Sequence, residues 1–294
     1  MKKLLSIYPR LFLLFFLIPG FVVKADSLLF IEDLKSFIYA EAGYELKESF
    51  YTEWSNEEKP YVYLYVSLSD SVKRPQEFKS SFIYYQTDED SAKMKEQSYQ
   101  RKGYHTFIYK TYANSAAQLN SNLIAYSKDA IAFIVFHEYI HNYLSERKIK
   151  IFYEFEEALC DVVGNYGALM YAQTRQKASL DSIQQQIESN EKIYKYMNQT
   201  VSMNNRNHVQ VIEENEKCTK KVREILGNAN LFQKDRFNYN VNNAFLLKNE
   251  YYSKNYFLLK DVFLKQKTLK AFLEVVEKMP DNSADCERYL QRNK

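Results

Sequence analysis

Ala130-Ile131-Ala132-Phe133-Ile134-Val135-Phe136-His137-Glu138-Tyr139-Ile140-His141 is the stretch on which the reading of this chain turns. Its length and apolar content predict a largely buried helix from Ser127 to Ser145. Two histidines four residues apart lie on one face of such a helix, one turn from each other. A buried histidine pair needs a reason to be there, and a metal ion is the usual one. Both imidazoles could reach a single Zn²⁺ at about 2.0–2.1 Å. Glu138 is the next residue round the helix, placed to reach a water on the metal rather than the metal itself. Its expected task is to take that water's proton as the water attacks a carbonyl. With four histidines in the chain, an H-E-x-x-H arising by composition alone is rare.

A third ligand is expected on the next helix, Tyr153 to Gln173, across a short basic link. It carries Glu157-Ala158-Leu159-Cys160-Asp161, an E-x-x-x-D whose two carboxylates again share a face. Antiparallel packing across the link brings His141 and Glu157 to one level. Glu157 is then the third metal ligand, and Asp161 accepts a hydrogen bond from the free N–H of a ligand histidine. Glu154 and Glu156 compete for the ligand role, but neither has an aspartate four residues on, and a solvated acidic helix start suits them better. Two histidines and one glutamate leave a position for water, which is the catalytic arrangement; a structural zinc site is closed, usually by cysteine. Cys160 reads as a small buried apolar residue, and His105 and His208 as histidines outside the site.

Outward from this pair, the sequence predicts an α+β, mostly helical chain. A helix over Leu28 to Ala42 ends at Gly43. Residues 61–68 alternate strictly, with Val62, Leu64, Val66 and Leu68 opposite Tyr61, Tyr63, Tyr65 and Ser67, as a half-buried strand does. Phe82 to Gln86 and Tyr104 to Thr111 read as further strands of a small N-terminal mixed sheet. Between them a helix is capped by Thr87 and stopped by Gly103. Residues 176–226 are polar, with sparse apolar positions at Ile183, Ile187, Ile193 and Ile212, and predict a long helical hairpin packed on one side. Residues 240–279 regain apolar spacing and close the fold.

The 294 residues are 46% apolar and 26% charged, which excludes disorder and collagen-like structure, while six Gly and five Pro favour long helices. Met1-Lys2-Lys3, the apolar run Leu11 to Val23 and Val23-Lys24-Ala25 form an export signal, with cleavage expected after Ala25. An uncleaved N-terminal anchor is the alternative. Removing residues 1–25 takes Lys2, Lys3, Arg10 and Lys24 with it and brings the net charge from +3 to −1. A near-neutral mature chain offers nucleic acid no electrostatic footing. Outside the cytoplasm thiols tend to pair, and Cys218 with Cys286 is the expected pair, three unpaired thiols being the alternative. The expected organisation is a signal peptide over 1–25 and one domain over 26–294, with an α/β part (26–115) and a helical active-site part (116–294).

H-E-x-x-H followed by E-x-x-x-D resembles the gluzincin metallopeptidases, the thermolysin-like and aminopeptidase-like enzymes. The chain is more closely similar to the bacterial predicted aminopeptidases, which are exported or lipid-anchored. The matching blocks are Tyr63-Leu64-Tyr65-Val66-Ser67 with Pro75, the stretch Asp90 to Tyr109, and Phe136-His137-Glu138-Tyr139-Ile140-His141. Downstream they are Phe155-Glu156-Glu157-Ala158 through Gly167, and Asn242-Asn243-Ala244 with Tyr252 and Phe257. The chain departs from that family at Glu156, where the family tends to have Asn, and across 112–126. The resemblance implies a mixed α/β part leading into a helical zincin-like part, with Tyr104 to Thr111 bordering the cleft and pairing with an extended substrate. It also makes Tyr252 the candidate donor to the developing oxyanion.

The resulting expectation is an exported, periplasmic or secreted peptidase with one zinc ion per chain. It acts on a peptide or protein substrate, has no nucleic-acid partner, and is not stably inserted in a membrane after signal cleavage. Aminopeptidase activity is what the resemblance implies. A zinc endopeptidase of the same chemistry, and an envelope binding protein with a structural zinc, are the alternatives.

Overall fold

The computed structural model of the protein describes residues 19–55, 59–80, 82–111, 117–203, 213–214, 216–218, 220–222, 224–225 and 242–294. Along the chain run α1 (Pro19–Ala42), β1 (Tyr61–Ser67), β2 (Phe82–Tyr84), α2 (Glu89–Arg101), β3 (His105–Thr111), α3 (Ser121–Ile124), α4 (Lys128–Arg147) and α5 (Tyr153–Arg175). They are followed by α6 (Leu180–Met203), α7 (Asn243–Ser253), α8 (Tyr256–Gln266), α9 (Leu269–Val276) and α10 (Ser283–Asn293). The described residues between 213 and 225 are helical as well. The chain is α+β and mostly helical.

The sheet is antiparallel throughout rather than mixed, in the order β2-β1-β3. β2 and β3 run the same way but never touch, because β1 lies between them and α2 carries the chain across. Leu64 and Val66 lie on the face beneath α2, packed with Tyr99 and with Ile83 and Ile108 of the flanking strands. The cap of α2 is Asp88, whose Oδ1 accepts from Ser91 N at 3.0 Å, and not Thr87. Asp88 lies three residues before that amide, the spacing an N-cap side chain needs. β2 stops at Tyr84, short of the predicted Gln86, although Tyr85 N and the Gln86 carbonyl still bond to Val62 of β1, and Gln86 takes a φ of +51°.

The main core gathers around α4 and α5, with α1, α8 and α9 packed about them. α4 is capped by Ser127, whose Oγ accepts from Ala130 N at 3.3 Å, and it ends at Lys148 with a left-handed φ of +55°. Two glycines let α5 lie close against it. A Cβ on Gly164 would come within 2.8 Å of the Phe133 ring, and one on Gly167 within 2.3 Å of the Phe136 ring. α1 begins earlier than the predicted Leu28, running from Pro19 through Ala25. From Asp26 onward it is tied to the α3–α4 corner: Asp26 pairs with Lys128 at 2.9 Å, and Ser27 Oγ donates to the Ile124 carbonyl at 3.1 Å. Residues 1–18 of the expected signal lie outside the described residues. Among those described, no helix is long and apolar enough to cross a membrane.

The polar stretch forms α6, with Ile183, Ile187, Ile193 and Met197 buried along one stripe. Cys218 and Val222 pack with Ile193 and Met197, so the second arm returns along the first; Ile212 lies outside the described residues. Residues 240–279 are not one run: α7, α8 and α9 are separated at Lys254–Asn255 and at Lys267, where φ is +63°. The expected Cys218–Cys286 disulfide is absent, and all three cysteines are free and buried. Polar local sequence concealed two apolar environments, for Cys218 belongs to the α6–α7 cluster and Cys286 to the main core.

Candidate metal centre

The α4–α5 pairing does what the two motifs require. His137 Nε2 lies 3.7 Å from Glu157 Oε2, and His141 Nε2 lies 3.8 Å from Glu157 Oε1. One carboxylate thus faces the same ring atom of both histidines. Ligand atoms around a tetrahedral zinc are about 3.4 Å apart, so both contacts, each to a different oxygen, are longer than that spacing.

Behind each imidazole stands a second carboxylate. Asp161 Oδ1 is 3.0 Å from His137 Nδ1, in the expected supporting position. The contact is off the line of the ring N–H, so the buried Nδ1 is not satisfied by it as the chain stands. Glu156 Oε1 is 3.0 Å from His141 Nδ1. Glu156 keeps the solvent contact expected of it, being 40% exposed, but has a second role: the turn of α5 that aims Glu157 at the two Nε2 atoms brings Glu156 round to the outer nitrogen of His141. Its pKa is lowered by that hydrogen bond. Glu154 is also engaged, with Lys254 Nζ at 2.8 Å and Asn255 donating to its carbonyl at 2.8 Å.

Burial alone would lower the pKa of both histidines, but it is overridden. Asp161 raises His137, and Cys160, Glu156 and Glu157 raise His141 well above the ordinary value. Glu138 is only 6% exposed, and its Oε2 is buried without a hydrogen-bond partner. Burial pushes its pKa up against the pull of the two imidazoles. Four carboxylates thus gather about two imidazoles, Glu138 and Asp161 buried and Glu156 and Glu157 partly open to solvent. The donors of this set are of the kinds that a zinc ion takes. Cys160 offers an alternative third ligand, since its sulfur and one atom of each histidine lie within 4.8 Å of one another. Its thiol is pushed up to about 12 by burial. A metal would have to strip that proton, whereas Glu157 already faces both Nε2 atoms, so Glu157 fits better.

Two further side chains from later in the chain bear on the centre, Tyr194 by a hydrogen bond and Tyr252 by charge alone. Tyr252, on α7, is far raised in pKa, first by burial and then by the charge of Glu157, with Asp161 also contributing, so its hydroxyl lies in the field of both carboxylates. Tyr194, on α6, donates a hydrogen bond to Asp161 Oδ2. No sequence signal pointed to Tyr194, which lies on a different helix from Asp161. Glu156 could have been suspected, because adjacent glutamates on a helix can address both nitrogens of one facing histidine. His105 stays outside the centre, accepting from Asn243 N at 3.3 Å at the start of α7. His208 lies outside the described residues.

Comparison with protein-family models, with curated proteins and with solved structures finds no match. The gluzincin resemblance therefore stands on the residues quoted for it.

Proposed function

We propose that this chain is an exported zinc-dependent peptidase, with His137, His141 and Glu157 holding the metal. One observation carries the reading: His137 and His141 face the two oxygens of a single glutamate, beside a buried Glu138 with one oxygen unpartnered. Bound there, zinc would polarise a carbonyl and make water acidic. Glu138 would accept a proton from water at Oε2, a role suited to a carboxylate whose pKa burial has raised. Glu156, hydrogen-bonded to His141 Nδ1, would leave the other nitrogen of that ring for the metal, and Asp161, 3.0 Å from His137 Nδ1, would do the same once that ring turns onto it. Tyr252 would donate its hydroxyl proton to the oxygen on which charge develops. The gluzincin likeness and the N-terminal export signal support the same reading.

Cleavage within a chain is favoured over trimming of N-termini. Aminopeptidases need a carboxylate for the substrate's ammonium, and the two glutamates nearest Glu157 in the chain, Glu154 and Glu156, are engaged by Lys254 and His141. The test is zinc content and peptide hydrolysis on the purified chain. One zinc per chain is expected in the wild type and its loss in His137→Ala and Glu157→Ala, while Glu138→Gln keeps zinc and loses at least a hundredfold in kcat. Zinc retained by both ligand variants, or undiminished hydrolysis by Glu138→Gln, overturns the reading.

A further inference from the structure

One face of the sheet is aromatic from edge to edge. The register sets Tyr63 between Tyr84 and Tyr109, and Tyr65 between Phe82 and Phe107, with Tyr61 following on the same side. The rings touch along and across the strands: Tyr63 and Tyr84 centroids are 5.1 Å apart, Tyr63 and Phe82 5.4 Å, and Tyr65 and Phe82 5.5 Å. At its inner end the face is covered by α7, where Phe245 meets Phe107 edge-on at 5.1 Å. At its outer end it opens, with Phe82 38% and Tyr84 45% exposed. Three-stranded sheets that face water normally do so with polar side chains, and exposed apolar patches mark binding surfaces.

This face leads to the metal centre. α7 packs on β1 and β3 on one side and on α5 on the other. Lys248 Nζ sits 4.2 Å from the Tyr109 ring and 4.1 Å from the Tyr252 ring, joining the sheet face to the tyrosine proposed as oxyanion donor. Tyr63 and Tyr65 both feel the charge of Glu157, and Tyr63 that of Glu138 as well.

We propose that the aromatic face of β2-β1-β3 is the substrate platform of this centre, holding an extended polypeptide by its apolar and aromatic side chains on one side of the bond cleaved. The proposal rests on the peptidase reading above and adds the substrate class: uncharged, apolar-rich chain segments, not short or charged ones. Tyr61, Tyr63 and Tyr65 are spaced two residues apart, about 6.8 Å per step. An extended peptide has the same side-chain pitch, so about five of its residues span the row. Every ring on the face is neutral, so the platform attracts apolar groups, and the tyrosine hydroxyls supply hydrogen bonds to peptide groups. A binding mode through side-chain stacking also needs no clamp on a terminal ammonium, which agrees with the engagement of Glu154 and Glu156.

The experiment is peptide binding to the full chain stripped of metal by chelation, where hydrolysis cannot intervene. The probes are an uncharged octapeptide with Leu or Phe at alternate positions, a Ser/Gln octapeptide, and an uncharged oligosaccharide of similar length. The apolar peptide should bind at least tenfold more tightly than the other two. Phe82→Ser combined with Tyr84→Ser should remove that preference, and Tyr84→Phe, which keeps the ring, should retain it. Equal affinity for the two peptides, preference for the oligosaccharide, or a double variant that binds as the wild type does overturns the platform. Zinc is then restored. Apolar peptides that bind through Phe82 and Tyr84 yet are never cleaved uphold the platform and sink the peptidase. Cleavage whose KM ignores peptide length and both side chains does the reverse.

Discussion

The helix pair α4–α5 and the sheet β2-β1-β3 each line up side chains at the period of their own secondary structure, and they treat charge in opposite ways. On the helices, a period of 3.6 brings two imidazoles and four carboxylates together, with the imidazoles, Glu138 and Asp161 largely shielded and Glu156 and Glu157 at the solvent side. On the sheet, a period of two sets out neutral rings, the outer ones in contact with solvent. Buried charges are intolerant because removing one partner leaves the other unpaid in a low dielectric. Exposed rings give way singly at little cost. One region is therefore suited to hold a reacting centre in fixed geometry, and the other to accept varied guests.

The difference breaks most visibly at the contact between α4 and α5. Gly167→Val should destabilise the fold by about 3 kcal/mol or more, since its Cβ would come within 2.3 Å of the Phe136 ring and the core cannot absorb it. The same variant should lose zinc, because the displacement acts one to two turns from His137 and Asp161. Phe82→Ser, on the exposed edge of the sheet, should cost under about 1 kcal/mol. Thermal melts of the two variants side by side check this, and equal losses would erase the contrast.

A smaller effect separates the layers within the proposed metal centre. Asp161→Asn and Glu156→Gln should each weaken zinc affinity about 10–100-fold without abolishing it. Tyr194→Phe should do less, since it removes only the hydrogen bond that orients Asp161. Competition against a chelating dye gives these affinities. Variants that bind as tightly as the wild type would mean that the outer carboxylates play no part in holding the histidines.

What the sequence revealed follows the same division. His137, His141, Glu157 and Asp161 could be placed in advance because spacing along a helix is already geometry, and a short link leaves two helices little choice but to lie antiparallel. Cys218 and Cys286 were misplaced because polar neighbours in sequence say nothing of apolar neighbours in space. The row Tyr61, Tyr63, Tyr65 was legible as alternation. That Phe82 and Tyr84 join it depends on the register of β2 against β1, and that it leads to Glu157 depends on where α7 docks. Tyr194 comes from a helix whose own pattern shows a sparse apolar stripe and nothing of a carboxylate partner. Contacts made by tertiary docking leave no local periodicity to read.

The smallest effect lies at the far end of α4, where a carboxylate is held at the rim instead of in the core. Glu277 accepts from Tyr143 Oη at 2.6 Å and from Arg147 Nη2 at 2.8 Å, fastening the end of α9 to the last turn of α4. These contacts, the Tyr143 hydrogen bond foremost, lower its pKa below the ordinary carboxylate value. A carboxylate depressed in the folded state stabilises it above the unfolded pKa, about 4.3, and that contribution is lost as pH falls through the folded value. Glu277→Gln keeps the shape and removes the charge, so it should lower Tm by about 1–3 °C at pH 7. The gap should shrink toward zero by about pH 3, where the wild-type carboxyl is itself protonated. Melts of both proteins across pH 3–7 test this, and a gap that persists unchanged at pH 3 would show that the charge of Glu277 contributes nothing. Solvent and salt screen this rim pair as they do not screen the metal centre, so 0.5 M NaCl should narrow the gap at pH 7.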